Sequence, residues 1–324
     1  TTTVPVEVIL AAGHTPVDLN NIFIGSEKAA RLVEAAETAG YPRNICGWIK
    51  GLYAVVASSE QELDIDKVIA VTQGDCSNTH ALMETYELAG IETIPFAYPF
   101  DRDYDLLKLQ MEKMMSALGT DWAAVKQVKA ELDRVRRKVA RLDELTWREN
   151  TVSGFDNHLW QISCSDFDAD VGEFEKKLDV FLEQTAKRPA FTQPLRLGYM
   201  GVPPIFTDLY DYLETMGARV VYNEVQRQFA MPFAPALDDL VEQYRCYTYP
   251  YGIFRRLADI EEQIAARNIT GMIHYVQSFC FRQIEDLIVR QKLKIPVLTI
   301  EGDNPGKLDA RTRLRLDSFL EMIS

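Results

Sequence analysis

Two short segments of the chain end in the same arrangement, a glutamine followed three residues later by a cysteine. They are KVIAVTQGDC, which ends at Cys76, and GMIHYVQSFC, which ends at Cys280. In each, an apolar run typical of a buried strand leads to the cysteine, and a helical pattern follows. A thiol at a helix N-terminus meets unpaired N–H groups and a positive dipole, which lower its pKa and favour the thiolate. Thiolates are ligands for zinc or for an iron–sulfur cluster.

The similarity between the two segments extends to their surroundings. Each is followed by a helix, an Ile-Pro pair, a strand and an aspartate, and each is preceded by another cysteine at a comparable distance. Four of the five cysteines are therefore predicted to occupy equivalent places in two related lobes. The equivalent residues are Cys46 with Cys246, Cys76 with Cys280, and Asp101 with Asp303. Cys164 has no counterpart.

The cysteine pattern is compatible with more than one kind of site. The CxxC signature of short zinc loops is absent, and ligands spread over the whole chain fit a cluster held between two domains better. The alternative is a set of ordinary buried cysteines, since free Cys is among the most buried residue types. An odd number of cysteines without a recognisable secretion signal favours reduced thiols in the cytoplasm over disulfides.

The overall composition is that of a globular protein. The 324 residues are 47% hydrophobic and 26% charged, and no apolar run approaches the roughly 20 residues that span a bilayer. The net charge of -13 argues against a nucleic-acid partner, because a phosphate backbone attracts basic surfaces. We therefore expect a cytoplasmic protein that binds neither nucleic acid nor a membrane.

The elements that position the cysteines follow from the apolar pattern. Short apolar runs alternate with helical patterns at both ends of the chain, which is typical of parallel sheets flanked by helices. The segment VEVILAAG, residues 6–13, is predicted as the first strand, and helical spacing dominates from Asp101 to about Arg188. The predicted fold is α/β, with two Rossmann-like parallel-sheet lobes at 1–120 and 191–324, the second closed by a C-terminal helix. A helical insert at 121–190 joins them, and the cluster is expected in the cleft between the lobes.

The chain resembles the 2-hydroxyacyl-CoA dehydratase and benzoyl-CoA reductase family over nearly its whole length, specifically the cluster-bearing dehydratase subunits. The opening VPVEVILAAGHTP resembles the family's P-x-E-x-x-x-A-A-G-x-x-P, and the cysteines of GDC and QSFC fall where the family places cluster cysteines, as does Cys46. The close of the chain resembles the family's Asp-then-Thr-Arg ending. The matching terminal residues are Pro5, Glu7, Ala11, Ala12, Gly13 and Pro16, and Asp303, Thr312, Arg313, Phe319 and Glu321.

The resemblance implies a [4Fe–4S] cluster bound by Cys46, Cys76 and Cys280, with one iron left open for substrate or a small ligand. It also implies a lyase that works anaerobically, in which an ATP-dependent activator with its own iron–sulfur cluster supplies one low-potential electron. Reduction of the substrate thioester then allows the hydroxyl group to leave. A homodimer, or a pairing with a related subunit, is the expected assembly.

Three alternatives accompany this expectation. Cys246 is a candidate fourth ligand, which would close the open iron position and favour electron transfer. Some relatives resemble this chain but carry an [8Fe–9S] double cubane and reduce small molecules without CoA, and that cofactor would make Cys164 a ligand as well. A double cubane needs six ligands, so the five cysteines fall one short. The chain could also be a non-catalytic two-lobed binding or electron-transfer protein.

Four further residues are candidates for supporting roles. His14 and His158 are candidate catalytic acids or bases, and Gln73 and Gln277 are candidates for contacts around the cluster. The chain contains neither GxGxxG nor GxxxxGK[ST], the common nucleotide-binding motifs. Any ATP is therefore expected to be hydrolysed by a partner.

Overall fold

A computed structural model describes residues 2–58 and 63–324. The helices are α1 (Val6–Ala11), α2 (Leu19–Gly25), α3 (Ala29–Thr38), α4 (Gly47–Ala57), α5 (Ser77–Leu88), α6 (Tyr104–Leu118), α7 (Trp122–Trp147), α8 (Gly154–Ile162), α9 (Val171–Thr185), α10 (Leu209–Thr215), α11 (Glu224–Ala230), α12 (Leu240–Cys246), α13 (Ile253–Arg267), α14 (Arg282–Lys292) and α15 (Ala310–Ile323). The strands are β1 (Lys67–Gln73), β2 (Glu92–Ala97), β3 (Leu195–Met200), β4 (Ala218–Asn223), β5 (Gly271–Val276) and β6 (Val297–Glu301).

The chain forms two compact units, and the first is assembled from three stretches of sequence. It comprises the residues up to Arg136 together with 165–171 and 233–252. Strands β1 and β2 pair in parallel, with Val71 opposite Phe96, and α4 and α5 contact each other beside them. The side chains in the core between these elements are Ile49, Leu52, Val68, Leu82 and Tyr86, which we call the α4–α5 cluster. Full burial of an aliphatic side chain of this size contributes about 1.5–3 kcal/mol, so this cluster anchors both helices to β1.

The second unit is built on a parallel sheet of four strands. It comprises 137–164, 172–232 and 253–324, and its strand order is β4-β3-β5-β6 with all neighbours parallel. Every residue of the edge strand β4 and of the central strand β5 is buried, as expected for strands covered on both faces. Helix α13 is amphipathic, and its apolar residues pack with β4 and β5 in one core cluster, which includes Val221, Ile260 and Met272.

The parallel-sheet α/β character predicted from the sequence is confirmed. The apolar runs before Cys76 and Cys280 form β1 and β5, the two Ile-Pro pairs lie within β2 and directly before β6, and the region predicted to be helical contains α6 to α9. The predicted two-lobe Rossmann-like arrangement with an insert at 121–190 stays a prediction. No helix in the described part of the chain combines the length and apolar character needed to cross a membrane.

The first predicted element is wrong, because VEVILAAG forms helix α1 rather than a strand. The apolar residues are compatible with a strand, but in the helix Glu7 is buried together with its neighbours Val6 and Val8. Helix α1 directs Glu7 into the interior, where its carboxylate contacts the Arg136 guanidinium at 2.8 Å. Gln243 and Tyr244 each donate a further hydrogen bond to it at 2.8 Å. The predicted first strand preceding His14 is therefore replaced by a helix.

Candidate functional site

Cys46 and Cys76 occupy matching positions in the first unit. Cys46 is the residue directly before α4, and Cys76 is the residue directly before α5. Both thiols are half-buried, and both pack against the α4–α5 cluster. The helix predicted after Cys76 is confirmed, and Cys46 precedes a helix in the same way.

The turn that leads to Cys76 depends on Gly74. Its φ of +97° lies in the left-handed region, and a Cβ at this position would come within 2.8 Å of the Tyr98 Cβ and 2.9 Å of the Pro250 Cβ. A side chain is therefore excluded both by the backbone conformation and by the close neighbours. The next residue, Asp75, accepts the backbone N–H of Cys76 at 2.8 Å and that of Thr2 at 3.1 Å. These contacts fix the start of α5.

The electrostatic environment of Cys76 differs from the one expected for a helix N-terminus. Burial, together with the negative charge of Asp75, raises the pKa of the Cys76 thiol above its ordinary value. Desolvation of the charged form therefore opposes the thiolate at this residue, contrary to the expectation from its place at a helix N-terminus. The Thr79 hydroxyl lies 3.7 Å from the Cys76 sulfur. A cation bound to the sulfur would reverse this shift, since metal binding deprotonates a thiol.

Cys280 lies in the second unit, in the loop that follows β5. Its backbone N–H donates to the Gln277 carbonyl at 3.1 Å, and its own carbonyl accepts the Gln283 N–H at 2.9 Å. The loop is held by Asp303, whose carboxylate accepts the Ser278 backbone N–H and hydroxyl. Cys280 is half-buried and lies two residues before α14. Its position after a strand and before a helix matches the sequence prediction.

The two glutamines have different environments. Gln73 ends β1 with an exposed side chain, and its carbonyl accepts the Tyr98 N–H at 2.9 Å. Gln277 is 2% exposed, and its side-chain amide donates to the Tyr275 hydroxyl at 2.9 Å. Gln277 therefore shapes the loop before Cys280 from the interior, whereas Gln73 contributes its backbone.

The proposed equivalence of Cys46 and Cys246 is wrong. Cys46 precedes a helix, but Cys246 is the last residue of α12, and both belong to the first unit. Cys164 is 1% exposed in the second unit, where its thiol donates to the Trp160 carbonyl at 3.3 Å. Cys46 and Cys246 lie at similar distances before β1 and β5, respectively. Spacing along the sequence therefore could not show that one precedes a helix and the other ends one.

The two candidate catalytic histidines are in unlike places. His14 is exposed in the loop after α1 and lines a pocket of the first unit. His158 is buried in the second unit, where its Nδ1 lies 3.0 Å from the Gln226 side-chain nitrogen and its ring stacks on Phe155. Burial lowers the pKa of His158 to about 4, so this imidazole is neutral at pH 7.

The pocket beside His14 has a volume of about 570 Å³, and its lining includes Asp166, which the sequence analysis did not identify. Asp166 is buried in its wall and accepts the Asp18 backbone N–H at 2.7 Å. Burial and the nearby Asp18 carboxylate raise the pKa of Asp166 to about 7. The segment DFDAD that contains it gave no signal in the sequence, because its neighbour Asp18 is 148 residues away.

The second unit contains a buried charge network near the ends of β3 and β4. The Arg256 guanidinium donates twice to Glu224, at 2.6 and 2.8 Å, and once to Glu285 at 2.8 Å. Glu224 also accepts the backbone N–H of Gly201 at 3.1 Å. Burial opposes ionisation of Glu224, but the Arg256 charge and hydrogen bonds outweigh it and hold the pKa of this carboxyl below its usual value. The network is internally satisfied and stabilises the turns after β3 and β4.

The environments of the cysteine thiols can be compared with those that the ligands of an iron–sulfur cluster require. None of the cysteines forms a disulfide, and four of them are half-buried rather than sealed in a core. Cys46 and Cys76 both pack against the apolar α4–α5 cluster, and apolar surroundings that limit access of water suit the thiolate ligands of a cluster. Over residues 2–58 and 63–324, however, no group of three or more His, Cys, Asp or Glu side chains is arranged to hold a metal ion. The iron–sulfur cluster and its cysteine ligands therefore stay a prediction.

The sequence was compared with known protein families. The family model described as HGD-D, 2-hydroxyglutaryl-CoA dehydratase, D-component, matches residues 1–323. No curated protein matches the chain significantly. The family match covers the opening motif, all five cysteines and the closing helix, so the resemblance that was inferred from these residues is confirmed.

Proposed function

Because the chain belongs to the 2-hydroxyglutaryl-CoA dehydratase D-component family, we propose that it is the iron–sulfur component of a 2-hydroxyacyl-CoA dehydratase. The observation that carries this proposal is the position of Cys46 and Cys76. Each thiol directly precedes a helix, and both pack against the α4–α5 cluster. Half-buried thiols on an apolar base are suited to a cluster that must be kept from water and oxygen.

The proposed cofactor is a [4Fe–4S] cluster with Cys46, Cys76 and Cys280 as ligands and Cys246 as the candidate for a fourth. When bound, it would supply the low-potential electron that dehydration of a 2-hydroxyacyl thioester requires. The chain's own residues position the proposed ligands. Gly74 and Asp75 shape the turn that leads to Cys76. Asp303 holds the loop that precedes Cys280.

The proposed partner is an ATP-dependent activator that carries its own iron–sulfur cluster and donates the electron. The absence of the common nucleotide motifs from this sequence supports the assignment of ATP hydrolysis to another protein. A homodimer, or a pairing with a related subunit, is proposed for the assembly.

A double-cubane reductase is the second candidate, and Cys164 weighs against it. An [8Fe–9S] cofactor would need Cys164 as a ligand, but that thiol is 1% exposed and donates to a backbone carbonyl within the second unit. The remaining alternatives are an electron-transfer protein and a non-catalytic binding protein.

The first experiment measures iron and acid-labile sulfide per chain in protein purified without oxygen, with an EPR spectrum after reduction. We expect about four irons per chain. Cys46→Ser, Cys76→Ser and Cys280→Ser should each lose most of the iron, whereas the control Cys164→Ser should retain it. Equal iron in all four variants would contradict the ligand assignment. A value near eight would favour the double cubane, and no iron after anaerobic reconstitution would favour a binding protein.

The second experiment tests the activity itself. The cluster-loaded protein, combined with a dehydratase activator, ATP and 2-hydroxyglutaryl-CoA, should release water and form the corresponding 2-enoyl thioester. Omission of ATP is the control and should abolish turnover. Turnover of a small molecule such as acetylene in the absence of CoA would instead support the double-cubane reductase.

A further inference from the structure

Two arginine side chains lie side by side at the start of the sheet in the second unit. Arg196 and Arg219 are register partners on the parallel strands β3 and β4. Both guanidiniums donate to the same oxygen, Asn150 Oδ1, at 2.9 and 2.5 Å, so the two positive charges are held close together. Arg219 is 1% exposed, and Arg196 and Asn150 are half-buried. Like charges on paired strands repel each other, so this arrangement is costly unless a negative charge offsets it.

The hydrogen-bond partners of this arginine pair carry no full charge. The acceptors are Asn150 Oδ1 and the backbone carbonyls of Thr146, Trp147, Val152 and Arg267. Among the residues that the structure describes, no carboxylate forms an ion pair with either guanidinium. The neighbouring Arg267 differs, because it contacts both carboxylate oxygens of Asp143, at 2.9 and 2.6 Å.

Two helices end beside the arginine pair and offset part of its charge. Helix α7 ends at Trp147 and α13 at Arg267, and the carbonyls of both residues accept from Arg196. Each helix C-terminus is equivalent to about half a negative elementary charge, so about one of the two positive charges stays uncompensated. Burial and the nearby Arg196 lower the pKa of Arg219 to about 10, as expected for a cation that lacks an anionic partner.

Polar atoms beside the arginine pair also lack partners. Arg219 Nε and Thr151 Oγ1 are buried and form no hydrogen bond in the described part of the chain. Thr151 is 9% exposed and lies between Asn150 and Val152, both of which accept hydrogen bonds from Arg219. Each guanidinium uses three of its N–H groups in the contacts described above, so further donors are available to a ligand.

We propose that Arg196 and Arg219 bind a phosphate group, either of free phosphate or of a larger ligand such as CoA. Guanidinium groups bind phosphate oxygens through paired N–H donors. The anion would supply the missing negative charge, accept a hydrogen bond from Arg219 Nε and lie within reach of the Thr151 hydroxyl. Burial of both atoms without a partner is then explained.

This site is distinct from the candidate cysteine ligands. The arginine pair lies where β3 and β4 begin, whereas Cys280 follows the carboxyl end of β5, at the opposite edge of the same sheet. Its residues lie within 146–152 and 191–219 and at Arg267, all in the second unit. The inference therefore does not depend on the iron–sulfur cluster.

Asn150→Asp tests the proposal, because it places a carboxylate at the oxygen that both guanidiniums already contact. Asn150 has a φ of 56°, and Asp tolerates this left-handed conformation as Asn does. The matched control is Asn304→Asp, which adds the same charge at an exposed position of the second unit, beyond the end of β6. Thermal unfolding of the full-length proteins is followed by circular dichroism in Tris buffer with up to about 20 mM inorganic phosphate, and calorimetry measures binding.

We expect about 20 mM phosphate to raise the unfolding midpoint of the parent and of the control by roughly 3 °C. Without phosphate, Asn150→Asp should unfold roughly 3 °C above the parent, because the carboxylate replaces the anion. Phosphate should raise its midpoint by less than about 1 °C. The parent and the control should bind phosphate with a Kd of about 1 mM, and Asn150→Asp at least roughly tenfold more weakly.

Titration with CoA distinguishes the two sources of the phosphate group. CoA that binds the parent more tightly than phosphate does, and binds Asn150→Asp more weakly, would assign the site to a phosphate of CoA. CoA binding that Asn150→Asp leaves unchanged, or that is absent, would assign the site to free phosphate.

Three results would overturn the proposal. The first is that neither phosphate nor CoA binds the parent at up to about 20 mM. The second is equal phosphate binding by the parent and Asn150→Asp, which would place the anion elsewhere. The third is a lower unfolding midpoint of Asn150→Asp than of the parent without phosphate, which would show that the arginine pair does not lack a negative charge.

Discussion

The carboxylate of Asp303 holds Ser278 at two atoms, accepting its backbone N–H at 2.9 Å and its hydroxyl at 2.5 Å. Ser278 lies two residues before Cys280, and the residue between them, Phe279, has a φ of 59° in the left-handed region. This conformation costs about 1–3 kcal/mol for a residue with a side chain. The hydrogen bonds to Asp303 offset that cost, so Asp303 sets the path of the chain toward Cys280.

Replacement of Asp303 by Asn should loosen this loop. The amide keeps one acceptor oxygen but loses the charge and the second acceptor, so we expect the free energy of unfolding to fall by about 1–2 kcal/mol. The Cys280 thiol should also react faster with iodoacetamide, measured by mass spectrometry of the labelled peptide. Glu301→Gln is the control, since Glu301 contacts the same hydroxyl at 3.2 Å. Equal labelling rates in both variants would show that Asp303 does not restrain the loop.

The ion pair between Glu7 and Arg136 should be strongly coupled. Both side chains are nearly inaccessible, at 0% and 1% exposed, so removal of one partner leaves the other charge buried. We expect Glu7→Gln and Arg136→Met each to lower the free energy of unfolding by about 3–5 kcal/mol. The double variant should cost at least about 1 kcal/mol less than the sum of the single variants. Urea unfolding of the four proteins tests this, and additive costs would mean that the two residues act separately.

Asp166 should make the protein less stable as the pH rises. The pKa of this carboxyl is about 7 in the folded protein and 3.8 in its ordinary state. Between these values the folded state keeps a proton that the unfolded state has lost, so stability falls as the pH increases from about 4 to about 7. Asp166→Asn removes the dependence and should be more stable than the parent by roughly 3–4 kcal/mol at pH 8.

At pH 4 the Asp166→Asn variant and the parent protein should be nearly equal in stability. Chemical unfolding at several pH values provides the comparison. A stability difference that stays constant from pH 4 to pH 8 would show that Asp166 titrates in its ordinary range.

His158 should have the opposite dependence. Its pKa falls from 6.5 to about 4 on burial, so the unfolded state binds the extra proton between these values. Stability is therefore lost as the pH falls from 6.5 to 4, by roughly 3 kcal/mol. His158→Gln should be less stable than the parent at pH 7, and that deficit should shrink by about this amount at pH 4. Both proteins contain Asp166, so its contribution to the pH dependence of stability is the same in both and does not affect the difference. A deficit that does not change with pH would assign His158 an ordinary pKa.

The elements of this fold that depend on local pattern were predictable from the sequence. The apolar runs of β1 and β5 and the helices that follow Cys76 and Cys280 lie where periodicity and turn residues indicated. Gly74 marks the first of these turns, because its left-handed φ is available to glycine at little cost.

The misplaced elements depend on residues far apart in the sequence. The segment containing Glu7 has a strand-like pattern but forms a helix, in which Glu7 contacts Arg136, Gln243 and Tyr244. These partners are distant in the sequence, so no local pattern indicates them. Cys246 was matched to Cys46 by spacing alone, and spacing does not record which end of a helix a residue occupies. Asp166 was missed for the same reason, since its raised pKa comes from burial and from Asp18.

The division of the first unit among three stretches of sequence has a consequence for biosynthesis. Gln243 and Tyr244 follow Glu7 by more than two hundred residues, at sequence separations of 236 and 237. At a translation rate of about 5–20 residues per second, the Glu7 carboxylate exists for roughly ten to fifty seconds before these partners are synthesised. The first unit therefore cannot be completed on the ribosome until most of the second has been made. Nascent chains stalled before residue 233 should depend on chaperones more than the full-length protein does.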